Sequence, residues 1–336
     1  MNEKEYILKI GIIGCGIITQ IAHLPALLKL KDKIEVISLC NHSEPKARKT
    51  AELLGNSALP IYKDWQEMIR KETDLEAVLV SLPIPMNYPV SRQCIEAGLH
   101  VICEKPAGVD AKEAALTLEL TQKDGPLFMT AENFQYYPSF KKASLLCQEG
   151  LIGKVHSLHW NVLQFLAVDN QYNQTQWRNQ NEYPGGYVMD GGVHFVHALQ
   201  MIAGSIDSVV AKTKSINSKL GTMDMGFALL THHSGAISSL NMGWQHSDQE
   251  ECLKVFGTEG SLILKEDSIL LLKSDGTSLS YPLEEEDSFT EEWKDFYSAV
   301  TGLSPLVINQ ETVVRDVKVI DALVKSATEG REVMID

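Results

Sequence analysis

Hydrophobic and polar positions along this chain follow two regimes. Up to about residue 130, short β-branched or apolar runs alternate with stretches of helical spacing. Leu8–Ile13, Ile34–Cys40, Leu75–Leu82, Leu99–Cys103 and Leu127–Ala131 read as strands. Ile17, Ile18, Ile21, Leu24, Leu27 and Leu28 fall on one helical face, with a bend expected at Pro25. Ser43 is placed to cap a second helix, with Pro45 in its first turn and Gly55 at its end. A third helix runs from about Tyr88 to Gly98. Asp110 and Glu113 make a capping box for a fourth that reaches Gln122. Strands alternating with helices predict βαβ units and a mostly parallel sheet.

From about residue 155 the pattern shifts to closely spaced strands. Val155–Leu166, Ser208–Ser215, Met225–His232, Ala236–Met242, Leu253–Phe256, Ser261–Leu264 and Ser268–Leu272 are joined in part by turns such as His233-Ser234-Gly235 and Thr258-Glu259-Gly260. That spacing predicts hairpins in one large antiparallel sheet. Helices are expected near Ser139–Glu149, Gly192–Ile202, Phe289–Val300 and Glu311–Thr328.

The chain has 336 residues, which suggests two domains. Apolar residues make up 44% and charged residues 22%, as in a globular protein. The net charge of −14 argues against a nucleic-acid partner, since neutralising phosphates takes a basic face. None of the six cysteines falls in a C-x-x-C, so a zinc ribbon or thioredoxin-like site has no support and a reducing, cytoplasmic setting is expected. The apolar stretch from Ile7 to Leu30 is broken by Gly14, Gly16, Gln20, His23 and Pro25, so no membrane partner is expected.

Four segments carry candidate chemistry. Gly14-Cys15-Gly16-Ile17-Ile18-Thr19 follows a strand and opens a helix. There Gly14 permits a tight turn, Gly16 lets a pyrophosphate approach the backbone, and the helix start around Ile17 and Ile18 offers free N–H groups. At the end of the second strand, Asn41 is neutral where a carboxylate would repel a 2′-phosphate. His42, Ser43 and Arg48 or Lys46 are placed to hold one, which tilts the cofactor expectation slightly from NAD to NADP. Glu104-Lys105-Pro106 ends another strand, where open parallel sheets bind their ligands, and a lysine there can polarise a substrate hydroxyl. In Gly185–His197, Asp190 and His194 share a helix face, with His197 one turn on. Three readings stay open for this group: an acid/base dyad, a metal site formed with His197, or a helix N-cap with packed histidines. The metal reading is the weakest, and no metal is expected.

In this order and spacing, the motifs resemble the Gfo/Idh/MocA oxidoreductases. The matching residues are Gly11–Gly16, Ala97–Pro106, Ala131–Phe134, Gly150–Val155, Gly185–His194 and Ser326–Val333. The resemblance implies an α/β protein. Residues 1–130 would form a Rossmann domain, and residues 131–336 an α+β substrate and oligomerisation domain with a large open, mostly antiparallel sheet. It implies NAD or NADP held at Gly14, Gly16, Ile17 and Ile18, with Asn41, His42 and Ser43 on the ribose side. Further cofactor contacts are expected from Ser81, Leu82, Pro83, Asn87, Glu104, Lys105, Asn133, Trp177 and Arg178. The implied reaction oxidises or reduces a secondary hydroxyl of a sugar, polyol or similar small molecule. His194 would move the proton, Lys105 would polarise the oxygen, and Asp190 and Tyr136 would contact substrate. A homodimer or homotetramer through the C-terminal sheet is also implied. The chain departs from the family pattern in four places: Thr19, Asn87, the Gln135-Tyr136-Tyr137 stretch and His197. A non-catalytic, cofactor-binding regulator is the alternative function, and the presence of both Lys105 and His194 favours the enzyme.

Overall fold

A computed structural model describes residues 6–121, 125–167, 169–172, 174–179, 183–217 and 223–336. They form two compact units. One takes in the chain up to Gly108, Lys112–Glu132 and Asp287–Gln310; the other takes in Val109–Ala111, Asn133–Glu286 and Glu311–Asp336.

The first unit is built on six strands: β1 (Leu8–Ile13), β2 (Ile34–Cys40), β3 (Ile61–Tyr62), β4 (Ala77–Val80), β5 (His100–Glu104) and β6 (Phe128–Ala131). Their order is β3-β2-β1-β4-β5-β6, with every pairing parallel. This is the doubly wound Rossmann order, in which the strand sequence reverses between β1 and β4. A parallel sheet is covered on both faces, and each of the four residues of β4 is fully buried. The helices are α1 (Leu24–Lys29), α2 (Glu44–Leu53), α3 (Trp65–Lys71), α4 (Ile84–Glu96) and α5 (Ala111–Leu118). The expected end of α5 at Gln122 lies outside the described residues.

The first helix adjusts around Pro25. A π-helical turn spans Thr19–His23, and Leu24 N–H bonds Thr19 O across five residues. Pro25 follows at once, inside a helical stretch that runs unbroken from Ile17 to Lys29, and the wider π turn accommodates the bond its missing N–H cannot make. Ser43 takes the N-cap position of α2 without making a side-chain cap bond. β3 and α3, with α3 capped by Asp64 accepting from Gln66 N–H, are elements the apolar pattern does not reveal.

The second unit contains α6 (Pro138–Gln148), α7 (Gln176–Asn179), α8 (Gly186–Ala203) and nine strands. These are β7 (Val155–Phe165), β8 (Ile206–Lys214), β9 (Met225–His232), β10 (Ile237–Gly243), β11 (Gln245–Gly257), β12 (Gly260–Leu264), β13 (Ser268–Lys273), β14 (Ser278–Pro282) and β15 (Val333–Met334). The sheet order is β14-β13-β12-β11-β7-β10-β9-β8-β15. It is mixed rather than wholly antiparallel, because β10 pairs parallel with β7. That central pair comes from distant parts of the chain and so needs no hairpin. In β9, buried and exposed positions alternate strictly, and α8 covers the buried side of β9 and β10.

Two further helices precede β15 in the chain. α9 (Ser288–Val300) belongs to the first unit and packs Trp293 and Phe296 against α1 and the π turn; α10 (Gln310–Glu329) follows it. Among the described residues, no helix is long and apolar enough to cross a membrane.

Candidate active site

In the first unit the candidate residues stand at strand ends. Gly14 N–H donates to Cys40 O at 2.9 Å, and Ser81 N–H donates to Ile13 O at 2.8 Å, so the glycine turn is laced to the ends of β2 and β4. Gly14 has φ of +105°, and a Cβ there would stand 2.0 Å from Ser81 O. A Cβ on Gly16 would meet nothing within 4 Å, which leaves that side of the turn open. A tight glycine, an open glycine and a helix start together fit a pyrophosphate.

Two side chains brace this turn. Asn41 Oδ1 accepts from Cys15 N–H at 3.1 Å, and its Nδ2 donates to Ser43 O at 2.9 Å. Thr19 stands where the family pattern wants a small residue. Its hydroxyl donates to Gly14 O at 2.7 Å and lies 3.0 Å from the Ser81 hydroxyl, joining the helix to two strand ends. Cys15 is a buried thiol whose pKa burial pushes up to about 11, which makes it inert.

The end of β5 is pinned twice. Asn87 Nδ2 donates to Glu104 O at 3.1 Å, and Asn87 Oδ1 accepts from Leu82 N–H at 3.2 Å, so this departure from the family pattern links the ends of β4 and β5. The Glu104 carboxylate accepts from His23 Nε2 at 2.8 Å, and His23 Nδ1 lies 3.1 Å from Trp293 Nε1. An indole N–H only donates, so Nδ1 is the acceptor and the neutral ring carries its proton on Nε2, facing Glu104. Lys105 follows directly, half-buried, with a cis bond to Pro106. Neither His23 nor Trp293 is identifiable from the sequence, because 270 positions separate them.

Glu292 on α9 is a second carboxyl beside this group. It is fully buried, and neither of its oxygens has a hydrogen-bond partner. Burial first, then the charges of Glu104, Glu132 and Asp295, hold it well above the ordinary carboxylate range. The folded protein therefore keeps a proton there that the unfolded chain loses above about pH 4.5, so stability falls by about 1.4 kcal/mol per pH unit as pH rises toward the raised folded value. Glu292→Gln replaces a neutral acid by a neutral amide and removes that slope. The variant is expected to melt several degrees above the parent at pH 8 and close to it at pH 4. A melting difference independent of pH would count against this account.

In the second unit, the N-cap of α8 is Gly185, in the left-handed region at φ +87°. Asp190 thus lies inside the helix, and the N-cap reading of it does not hold. Its Oδ2 accepts from Arg178 Nε at 2.8 Å, with both side chains largely buried. The Arg178 guanidinium lies 4.1 Å from the centre of the Trp177 ring and 5.2 Å from that of Tyr172. Burial works against its charge, but Asp190 outweighs burial and holds the pKa above the ordinary arginine value. Trp177 also leans on Tyr183, their ring centres 5.8 Å apart.

His194 is half-buried, and its ring stacks on Phe134 with centres 4.6 Å apart and planes 18° apart. His197 is fully buried, with Nδ1 2.7 Å from Asp316 Oδ2 and Nε2 3.0 Å from Gln135 Oε1. Both ring nitrogens are engaged, so His197 has no lone pair for a metal. Among the described residues, no group of three His, Cys, Asp or Glu side chains is placed to hold one. Asn133 and Tyr136 are buried at the two ends of a 3-10 turn, Asn133–Tyr136.

Two family models match the chain. The oxidoreductase family with an NAD-binding Rossmann fold covers residues 8–132, and the GFO/IDH/MocA C-terminal domain covers residues 140–263. D-xylose 1-dehydrogenase (NADP(+)) 2 of Haloferax volcanii is 27% identical, over 97% of this chain and 99% of its own. D-apiose dehydrogenase of Paraburkholderia graminis is 26% identical, over 80% of this chain and 70% of its own. A crystal structure of an oxidoreductase from Thermotoga maritima superposes with a TM-score of 0.91 at 29% identity, covering 97% of this chain and 98% of that one.

Proposed function

Because the chain belongs to the GFO/IDH/MocA oxidoreductase family, we propose that Lys105, Asp190 and His194 carry its reaction. The protein is an NAD(P)-dependent oxidoreductase acting on the CH–OH groups of sugars or polyols, an activity in keeping with its named relatives. When bound, the nicotinamide supplies the hydride acceptor or donor. Lys105 donates a hydrogen bond to the reacting oxygen and stabilises the charge that develops there. His194 takes the hydroxyl proton in oxidation and returns it in reduction, work suited to an imidazole because a neutral ring nitrogen can accept a proton and give it back. Asp190, its charge balanced by Arg178, holds a neighbouring substrate hydroxyl, and Tyr136 shapes the substrate site. Trp177 and Asn133 join the residues at the β1, β2, β4 and β5 strand ends in holding the cofactor.

The observation that carries this reading is the meeting of three strand ends. Gly14 follows β1, Ser81 follows β4 and Lys105 follows β5, and those strands are neighbours in the sheet. In a doubly wound fold, this edge beside the strand reversal is where a dinucleotide and its substrate bind.

NADP is favoured over NAD. Asn41 is neutral, and in a hollow beside the start of α2 Arg48 and Lys63 outnumber Glu44. Arg48 bonds Glu44 and holds its carboxyl below the ordinary value, so Lys63 is the cation to hold a 2′-phosphate. The test is a dehydrogenase screen over aldoses, polyols and related alcohols with both cofactors. Turnover of at least one such alcohol is expected, with NADP preferred about tenfold or more. Better use of NAD would overturn the preference, and no turnover despite bound cofactor would overturn the roles of Lys105 and His194.

Six free thiols support a reducing, cytoplasmic setting. Val210 and Leu229, paired across β8 and β9, are exposed with Phe227 and Ile237. This apolar patch supports a dimer or tetramer through the nine-stranded sheet; a monomer in light scattering would refute it.

A further inference from the structure

The His197–Asp316 pair is buried and outside the chemistry assigned above. Asp316 is fully buried on α10, and each of its oxygens has a donor. Oδ2 pairs with His197 Nδ1 at 2.7 Å, and Oδ1 accepts from Gln200 Nε2 at 2.7 Å. Gln200 Oε1 in turn accepts from Ile206 N–H at 3.1 Å, at the start of β8. A carboxylate held this way fixes a proton on His197 Nδ1. Gln135 Oε1 lies 3.0 Å from Nε2, so both ring nitrogens are engaged. Removing one partner from such a buried pair is costly, so the ring has a single orientation.

That orientation has a target. Gln135 lies in the 3-10 turn Asn133–Tyr136, and its neighbour Phe134 forms the stacked surface under His194. His194 and His197 are three residues apart on α8 and so project from adjacent positions. Two consecutive residues of one short turn are thus tied to two histidines of one helix. One tie is a hydrogen bond from a ring that Asp316 anchors on α10, and the other is a ring stack.

We propose that His197, anchored by Asp316, is a positioning residue that acts through Gln135. It holds the Asn133–Tyr136 turn so that Phe134 sets the ring plane of His194. This rests on His194 as the proton-transfer group, and misplacing such a group by about 1 Å can cost on the order of a hundredfold in rate.

The test follows the imidazole resonance of His194 in histidine-labelled protein, identified by its loss in His194→Asn. Stacked on Phe134, the His194 ring proton is shifted upfield, and Phe134→Leu gives the unshifted limit. Gln135→Leu is expected to move the resonance most of the way to that limit. It should also lower kcat by about tenfold or more, with KM and NADPH binding nearly unchanged. Gln135→Glu, which keeps an acceptor toward His197, is expected to restore the parent resonance. Gln200→Leu removes bonds to Asp316 and Ile206 but none to the turn, so it is expected to lower the melting temperature and leave the resonance in place. A parent-like resonance in Gln135→Leu, or an equal shift in Gln200→Leu, would overturn the proposal. Full turnover by His194→Asn, with the Gln135→Leu shift present, would refute the proton-transfer role of His194 while upholding the positioning.

Discussion

Gly14→Ala is expected to weaken dinucleotide binding by about a hundredfold or more and to destabilise the first unit by about 3 kcal/mol. Two costs combine. Alanine at φ of +105° is strained, and its Cβ would stand 2.0 Å from the Ser81 carbonyl oxygen. That oxygen belongs to the backbone where β4 ends, so the turn has to move away from the strand it is laced to. Gly16→Ala makes an informative contrast, because its added Cβ meets nothing within 4 Å. It is expected to melt with the parent and still bind cofactor poorly, since the open side of the turn is where a pyrophosphate approaches the backbone. Thermal melts with nicotinamide fluorescence titrations separate the two effects. A Gly16→Ala variant that binds as well as the parent would show that the pyrophosphate lies elsewhere.

The two regimes of the hydrophobic pattern carried over into structure because each reflects a local period. The apolar runs of the first 130 residues became strands buried on both faces, as β4 shows. The alternation in Met225–His232 became β9 with the same bounds. What was not legible depends on partners far along the chain. The Gln245–Gln249 end of β11 is too polar to read as a strand and is drawn into the sheet only by pairing with β7. The parallel register of β7 on β10 joins segments about eighty positions apart, and no turn signal announces it. Nothing local in Ser288–Val300 shows that this helix packs on a unit otherwise made of the first third of the chain.

The candidate site divides along the same line. The placement of Gly14, Gly16 and Lys105 was readable because each stands at a turn or a strand end, which neighbouring residues define. Thr19 and Asn87 were visible as departures and Asn41 as a neutral residue at the end of β2, but the bonds they make were not. Each turns out to bridge segments: Asn41 ties Cys15 to Ser43, Thr19 ties Gly14 to Ser81, and Asn87 ties Leu82 to Glu104. For His197, the sequence left metal binding and simple packing open. The structure supplies it a carboxylate partner, Asp316, 119 positions away.

Lys105→Met is expected to bind cofactor like the parent and to lose about three to four decades of kcat/KM. In the proposed mechanism the lysine contributes only when the reacting oxygen gains charge, so its loss should fall on kcat more than on KM. Its position is set by the residue before it. The Glu104 carbonyl is held by Asn87 and the Glu104 carboxylate by His23, which Trp293 orients in turn, so Lys105 emerges from a strand end fixed on two sides. A fixed backbone makes the identity of the side chain decisive. Lys105→Arg keeps the charge but replaces a compact ammonium by a planar fork, and is expected to recover little activity. His23→Phe leaves the lysine in place and removes one brace, so it should cost far less than Lys105→Met while leaving the Glu104 carboxylate short of its buried donor. The measurements are steady-state kinetics on the best alcohol from the screen and NADPH titration of each variant. A Lys105→Met enzyme within tenfold of the parent would move the polarising role to another residue, whereas a variant that also lost cofactor binding would show that the lysine holds the dinucleotide rather than the reacting oxygen.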